Sequence, residues 1–148
     1  MNEKTTREKL IDNHLKKAGW FKKYIKEEVN SVKSNFKTKK YTSDKTKIER
    51  GVDKFIDYLL LDEDYSPLAV IEVKKFSKDP EKGRIQAKSY QEDVKKQTGK
   101  IVPIFLTNGK VWYFIDEDDR KRKILLPFTQ KDIHRRVSLF ERKKDPTR

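Results

Sequence analysis

Cysteine is absent from all 148 residues, which excludes disulfides, thiolate metal centres and cysteine nucleophiles and leaves the redox compartment open. Histidine occurs only at His14 and His134, far apart and without an acid at metal-ligand spacing, so an imidazole-based site finds no support. Long hydrophobic runs are also missing. The longest span five or six residues and the N-terminus is charged, so neither a transmembrane helix nor a signal peptide is expected, and a cytoplasmic protein without membrane contact is the natural reading. The length suits one domain and cannot accommodate a helicase or ATPase motor as well. What the chain does have is charge. Charged residues make up 41%, and 37 Lys plus Arg against 24 Asp plus Glu give a net charge of +13, which points to a polyanionic partner.

The apolar residues are clustered rather than diluted. Thr5 or Thr6 can cap a first helix in which Leu10, Ile11, His14, Leu15 and Ala18 recur at helical spacing until Gly19. Residues 20–30 are mixed, and the lysine-rich stretch 31–49 reads as a loop or a ragged strand pair. Residues 55–61 and 68–75 are two apolar runs separated by a polar, proline-containing linker, which predicts an antiparallel hairpin. Asp79-Pro80-Glu81 opens a helix that runs to about Gln97 and stops at Gly99. Strands over 101–106 and 111–115 are joined through Asn108-Gly109, a strong hairpin-turn signal. A charged turn over 116–123, a short strand over 124–128 and a helix over 131–143, with Ile133, Val137 and Phe140 on one side, complete a single domain.

Within this pattern two acids stand in very apolar strands, Asp57 and Glu72. Pairing Leu61 with Leu68 across the linker sets Asp57 directly opposite Glu72 on one face, and strand alternation puts Lys74 on that face too. Carboxylates held together repel unless a cation lies between them, and oxygen ligands without His or Cys suit Mg²⁺ or Mn²⁺ rather than zinc. A lysine beside such an ion can hold a water and stabilise charge on a phosphate under attack. A Glu-x-Lys triplet alone is more often a solvent-facing feature; its weight comes from the Asp in the neighbouring strand, the register and the charge.

Asp57, Glu72-Val73-Lys74 and a helix carrying Gln86-Ala87-Lys88-Ser89-Tyr90 resemble the PD-(D/E)xK nucleases. Within that superfamily, the run from Pro67 to Lys74, the Gln-x-x-x-Tyr motif and Phe105-Leu106-Thr107-Asn108-Gly109 are similar to the N-terminal nuclease domain of type I restriction enzyme R (HsdR) subunits. The likeness runs from about Arg7 to Ser138. It implies an α/β restriction-endonuclease-like fold, a central mixed sheet flanked by helices, and Mg²⁺-dependent hydrolysis of DNA phosphodiester bonds. It further implies that Asp57, Glu72 and the Val73 backbone carbonyl ligate the metal, and that Lys74 positions the water. Gln86 and Tyr90 would support the site or contact DNA, and Glu8 on the first helix would be an additional acid. Ile56 stands where the name-giving motif has proline, a position that varies within the fold. The resemblance places ATP only with a helicase-like motor outside this chain, as in a longer R polypeptide of which this would be a fragment. It names methyltransferase and specificity subunits as partners, the latter choosing the DNA sequence.

Other residues fit plainer readings. Asp53 shares a strand face with Asp57 but reads as a turn acid. Asp62-Glu63-Asp64 and residues 116–119 lack calcium-loop spacing and read as solvated turns. Trp20, Trp112, Tyr113 and Phe114 read as core or rim, while the lysine-rich stretch could contact phosphates without reading sequence. Two rivals remain at this level. One is a non-catalytic DNA-binding or assembly module of the same fold, and the other is a stand-alone repair or junction-cleaving nuclease. Charge alone does not separate DNA from RNA.

Overall fold

The structure, a computed structural model, describes residues 2–46 and 54–144, so Asp53 and the end of the lysine-rich stretch, 47–49, lie outside the described residues. Helix α1 (Glu3–Lys17) is followed by a short 3₁₀ turn and strand β1 (Ile25–Asn30). The hairpin β2 (Phe55–Leu61) and β3 (Pro67–Val73) leads through a 3₁₀ turn, Pro80–Gly83, into α2 (Arg84–Thr98). Strands β4 (Ile104–Thr107), β5 (Trp112–Ile115) and β6 (Lys121–Ile124) precede α3 (Gln130–Lys144). The six strands form one sheet in chain order, antiparallel throughout except at β3–β4, where α2 makes the crossover that a parallel pair requires.

Strand alternation sorts the core into two layers. Ala69, Ile71 and Phe105 pack with Ile11 and Leu15 of α1 and Ile133 and Val137 of α3. Residues of opposite parity face α2: Val70 packs with Tyr90 and Val94, and Ile104 and Leu106 pack with Ala87. The result is an α/β sandwich with a mixed sheet, the restriction-endonuclease-like architecture expected. Trp20, Trp112 and Phe114 are buried, and Tyr113 is half-buried at the rim.

Several local expectations need correction. Asn2, not Thr5 or Thr6, caps α1, its side chain accepting from Thr5 N at 2.8 Å. The helix after Asp79 begins as a 3₁₀ turn and becomes α-helical only at Arg84. Leu61 pairs with Pro67 rather than Leu68. The linker closes tightly through Asp62 N to Ser66 O (2.9 Å), with Tyr65 at φ 67°, and the extra residue is absorbed as a bulge between Leu60 and Leu61 on the pairing. From Leu60 to Tyr58 the expected register holds, Leu60 opposite Ala69 and Tyr58 opposite Ile71. The last strand covers Lys121–Ile124, so the charged stretch forms a strand and Leu125 is left exposed beyond it. The mixed segment contains the edge strand β1, and the described part of the lysine-rich stretch, residues 31–46, folds back with a bridge between Asn35 and Lys40 around buried Phe36.

Candidate active site

Asp57 lies near the start of β2 and Glu72 near the end of β3, one step beyond the paired Tyr58 and Ile71, so the register brings them to the same end of two adjoining interior strands. Asp57 Oδ2 accepts from the backbone N–H of Val73 at 2.7 Å, which ties the first carboxylate to the strand carrying the second. Glu72 sits opposite Leu106 in the parallel pairing, and Lys74 N donates to Thr107 O at 2.9 Å, extending that pairing past Val73. Lys74 Nζ is 3.7 Å from Glu72 Oε1.

The electrostatics of this cluster are strained. Burial, reinforced by the neighbouring charge of Asp57, pushes the Glu72 carboxyl up to about 8, against the pull of Lys74. Burial also raises Asp57, opposed by the Val73 N–H and by Lys74. Glu72 is 6% exposed, and its Oε2 is buried without a hydrogen-bond partner. A buried carboxylate oxygen left unpaired is unfavourable by about 1–3 kcal/mol or more. Two carboxylates that share a site and leave an oxygen uncommitted match a small divalent cation, which takes one or two protein carboxylates and fills its remaining positions with water and phosphate oxygens. Among the described residues no group of three or more His, Asp or Glu is placed to hold a metal, so a cation here would depend on that smaller donor set, with the Val73 carbonyl as a further oxygen.

Gly83, at the end of the 3₁₀ turn, explains how Glu72 is held. A Cβ added to it would lie 2.6 Å from Glu72 Cγ and 3.2 Å from Lys74 Cε, so only a bare Cα fits against the pair. The turn is fastened from its other side, where Arg84 reaches Asp119 Oδ1 (3.0 Å) and Glu81 (3.1 Å), and Lys88 and Lys121 reach Asp119 and Glu81, both at 2.9 Å. Part of the 116–119 acidic turn is thereby docked on α2 rather than only solvated.

Gln86 Nε2 donates to Tyr90 OH at 2.8 Å, joining the two motif residues on α2. The Tyr90 ring is buried; its hydroxyl is raised to about 12, first by burial and further by Glu72 and Asp57. Glu8 lines a cavity of about 290 Å³ between α1 and β1 whose wall also includes Asp57 and Val73. Four further charged lining residues escaped the sequence reading: Lys4, Arg7, Glu27 and Glu28. Glu28 is skipped in the β1–β2 pairing and adopts φ 50°, a conformation that costs a non-glycine residue energy and marks a local constraint beside the carboxylates. No sequence signal revealed it, because β1 has no clear apolar alternation.

The Thr107-Asn108-Gly109 motif clamps the backbone after Lys74. Asn108 Nδ2 donates to Phe76 O and Lys78 O at 3.3 and 3.1 Å, while its Oδ1 accepts from Lys110 N and Val111 N. Gly109, at φ 89°, abuts the Phe76 ring and the Arg7 side chain, where a Cβ would stand 2.9 and 3.1 Å away. The remaining sequence candidates lie elsewhere. His14 accepts from Trp112 Nε1 at 2.9 Å, and His134 pairs with Asp62 at 2.6 Å in the β2–β3 linker region.

No curated protein matches the chain. Among solved structures it is similar to one described as a fragment of an HsdR subunit of a type I restriction enzyme from Vibrio vulnificus YJ016, with 25% identity and a TM-score of 0.70 over 95% of this chain. The chain spans 26% of that one. The model of the family described as "Type I restriction enzyme R protein N terminus" matches residues 44–123, just over half of the chain, including Asp57, Glu72, Lys74, Gln86, Tyr90 and Asn108. The chain belongs to the family of type I restriction enzyme R protein N-terminal domains.

Proposed function

We propose that this domain is the DNA-cleaving part of a type I restriction enzyme, hydrolysing phosphodiester bonds with Mg²⁺, for which Mn²⁺ can substitute. The observation that carries the reading is buried Glu72 and half-buried Asp57 on adjoining interior strands, with an uncommitted Glu72 oxygen and Lys74 beside it. Asp57, Glu72 and the Val73 carbonyl would hold the ion. When bound, it supplies positive charge to a phosphate under attack and lowers the pKa of an attacking water.

The protein's own groups do the rest. Lys74, kept near Glu72, orients the water and offsets charge building on the phosphate oxygens. The Gln86–Tyr90 pair braces α2 beside the carboxylates. Exposed Lys37 and Lys40, with the positive net charge, supply sequence-independent attraction to the phosphate backbone. ATP-driven movement and choice of sequence belong to a motor and to methyltransferase and specificity subunits outside this chain, and DNA is the substrate.

Anomalous diffraction from crystals grown with Mn²⁺ and a short DNA duplex tests this. The expected result is an ion between Asp57 and Glu72, next to a phosphate, that disappears in Glu72→Ala. Duplex bound with no ion at that position in the unaltered protein would leave a DNA-binding or assembly module and end the catalytic reading.

A further inference from the structure

Among the charged groups of the site cavity to which the proposed nuclease reading gives no role, Arg7 is the cation held out of water. Arg7 lies on the second turn of α1, and its side chain is only 13% exposed. Its Nη1 pairs with Glu3 four residues earlier, whereas its Nε is buried with no hydrogen-bond partner. An ordinary i, i+4 pair on a helix surface leaves the guanidinium in water. Here the stem is packed against Gly109, the charge acts on Asp57, and the group shares the cavity wall with Asp57 and Val73. Glu3 is fixed in turn, its Oε1 accepting from Phe76 N at 2.6 Å, two residues beyond Lys74. Arg7 is thus held by Glu3 and by packing against Gly109, and Glu3 alone does not use its hydrogen-bonding capacity.

We propose that Arg7 is a phosphate-binding residue of this site, its guanidinium engaging a non-bridging oxygen of the nucleic-acid strand held against Asp57 and Glu72. A planar guanidinium fork matches phosphate oxygens as well as carboxylates, and a phosphate is the anion that a nucleic-acid strand brings to Asp57 and Glu72. The other cation on the cavity wall, Lys4, is exposed, and the remaining charged wall residues are acids, so a phosphate entering the cavity has Arg7 as its one sequestered positive neighbour among the described lining residues. Glu3 acts as a positioning residue that keeps the fork in place before DNA arrives.

The test uses the full 148-residue chain in a Glu72→Gln background, which prevents cleavage, and measures binding of a short DNA duplex against monovalent salt concentration without divalent ions. Arg7→Gln spares the packed stem and removes the charge. The expected result is binding roughly tenfold weaker at 0.1 M salt and a log–log salt slope reduced by about 1. Arg7→Lys should retain the slope, and Glu3→Gln, which leaves the Arg7 charge present, should not reduce it. An unchanged slope in Arg7→Gln, with salt-dependent binding otherwise intact, overturns the proposal and leaves the nuclease reading standing. Should Arg7→Gln fail to fold, Arg7→Met, which keeps the packed stem without the charge, is measured in its place, and an unchanged salt slope overturns the proposal equally. Absence of salt-dependent duplex binding in every variant overturns the nuclease reading, and the Arg7 role with it.

Discussion

Gly83 shows how a residue without a side chain can set the position of two that have one. Its contact with Glu72 Cγ has no spare room, so a methyl group there must displace the carboxylate, the Lys74 stem or the turn. Gly83→Ala keeps an acceptable backbone, since φ is −90°, and overpacking of this kind costs about 1–3 kcal/mol. The larger effect is expected on the ion: Mn²⁺ affinity measured by calorimetry should fall about 10- to 100-fold, as when supporting residues of metal sites are changed. Affinity equal to that of the unaltered protein would show that Gly83 does not position the carboxylates. At this scale the sequence was informative about Asp57, Glu72 and Lys74, because acids and a lysine in apolar strands stand out. It was silent about Gly83, Arg7 and Glu28, whose roles come from contacts across elements that no local pattern records.

At the scale of elements, the β4–β5 turn does more than reverse the chain. Asn108 makes four hydrogen bonds, two within its own turn and two to the backbone following β3. Asn108→Ala therefore removes a turn and a clamp together, leaving four partly buried backbone groups without these partners. Unfolding in urea should show a loss of about 2–4 kcal/mol. A midpoint within error of the unaltered protein would mean that solvent replaces these bonds and that the clamp is incidental. The Asn-Gly signal was legible as a hairpin, and the β2–β3 register was legible from Leu60 back to Tyr58. The bulge was not, because it follows from how tightly the 62–66 linker closes. Strand β6 was hidden for another reason: Lys121, Arg122 and Lys123 read as a charged turn, yet Lys121 lies over the Tyr113 ring and Arg122 over Phe114 and Phe128, so aromatic faces hold a strand whose residues carry charge.

Over the whole molecule, the packing of α1 on the sheet includes a titratable contact. Buried Trp112 donates its indole N–H to His14 Nδ1, which must be unprotonated to accept it. Burial, aided by Lys17, holds the His14 pKa below its ordinary 6.5. The unfolded chain then binds the proton more readily than the folded one, so this contribution to stability is complete above about pH 6.5 and is lost as pH falls through the lowered folded value. Thermal unfolding should show a decline over that window that is absent in His14→Gln; identical pH profiles for the two proteins would sink the assignment. Most elements were readable from apolar periodicity and turn signals, and their assembly into a mixed sheet flanked by helices from the family resemblance, whereas the two-layer division of the core followed from the parallel β3–β4 step, which periodicity does not reveal.

The cationic makeup of β6 has a consequence for how the domain behaves among its own kind. It is the terminal strand of the sheet, and the outer edge of such a strand offers unpaired backbone groups to any other chain in extended form. Three consecutive basic residues there make a second copy an unfavourable neighbour, because the two edges would bring like charges into register. The same lysines and arginine that blur the strand in the sequence thus guard the sheet against growing sideways into aggregates.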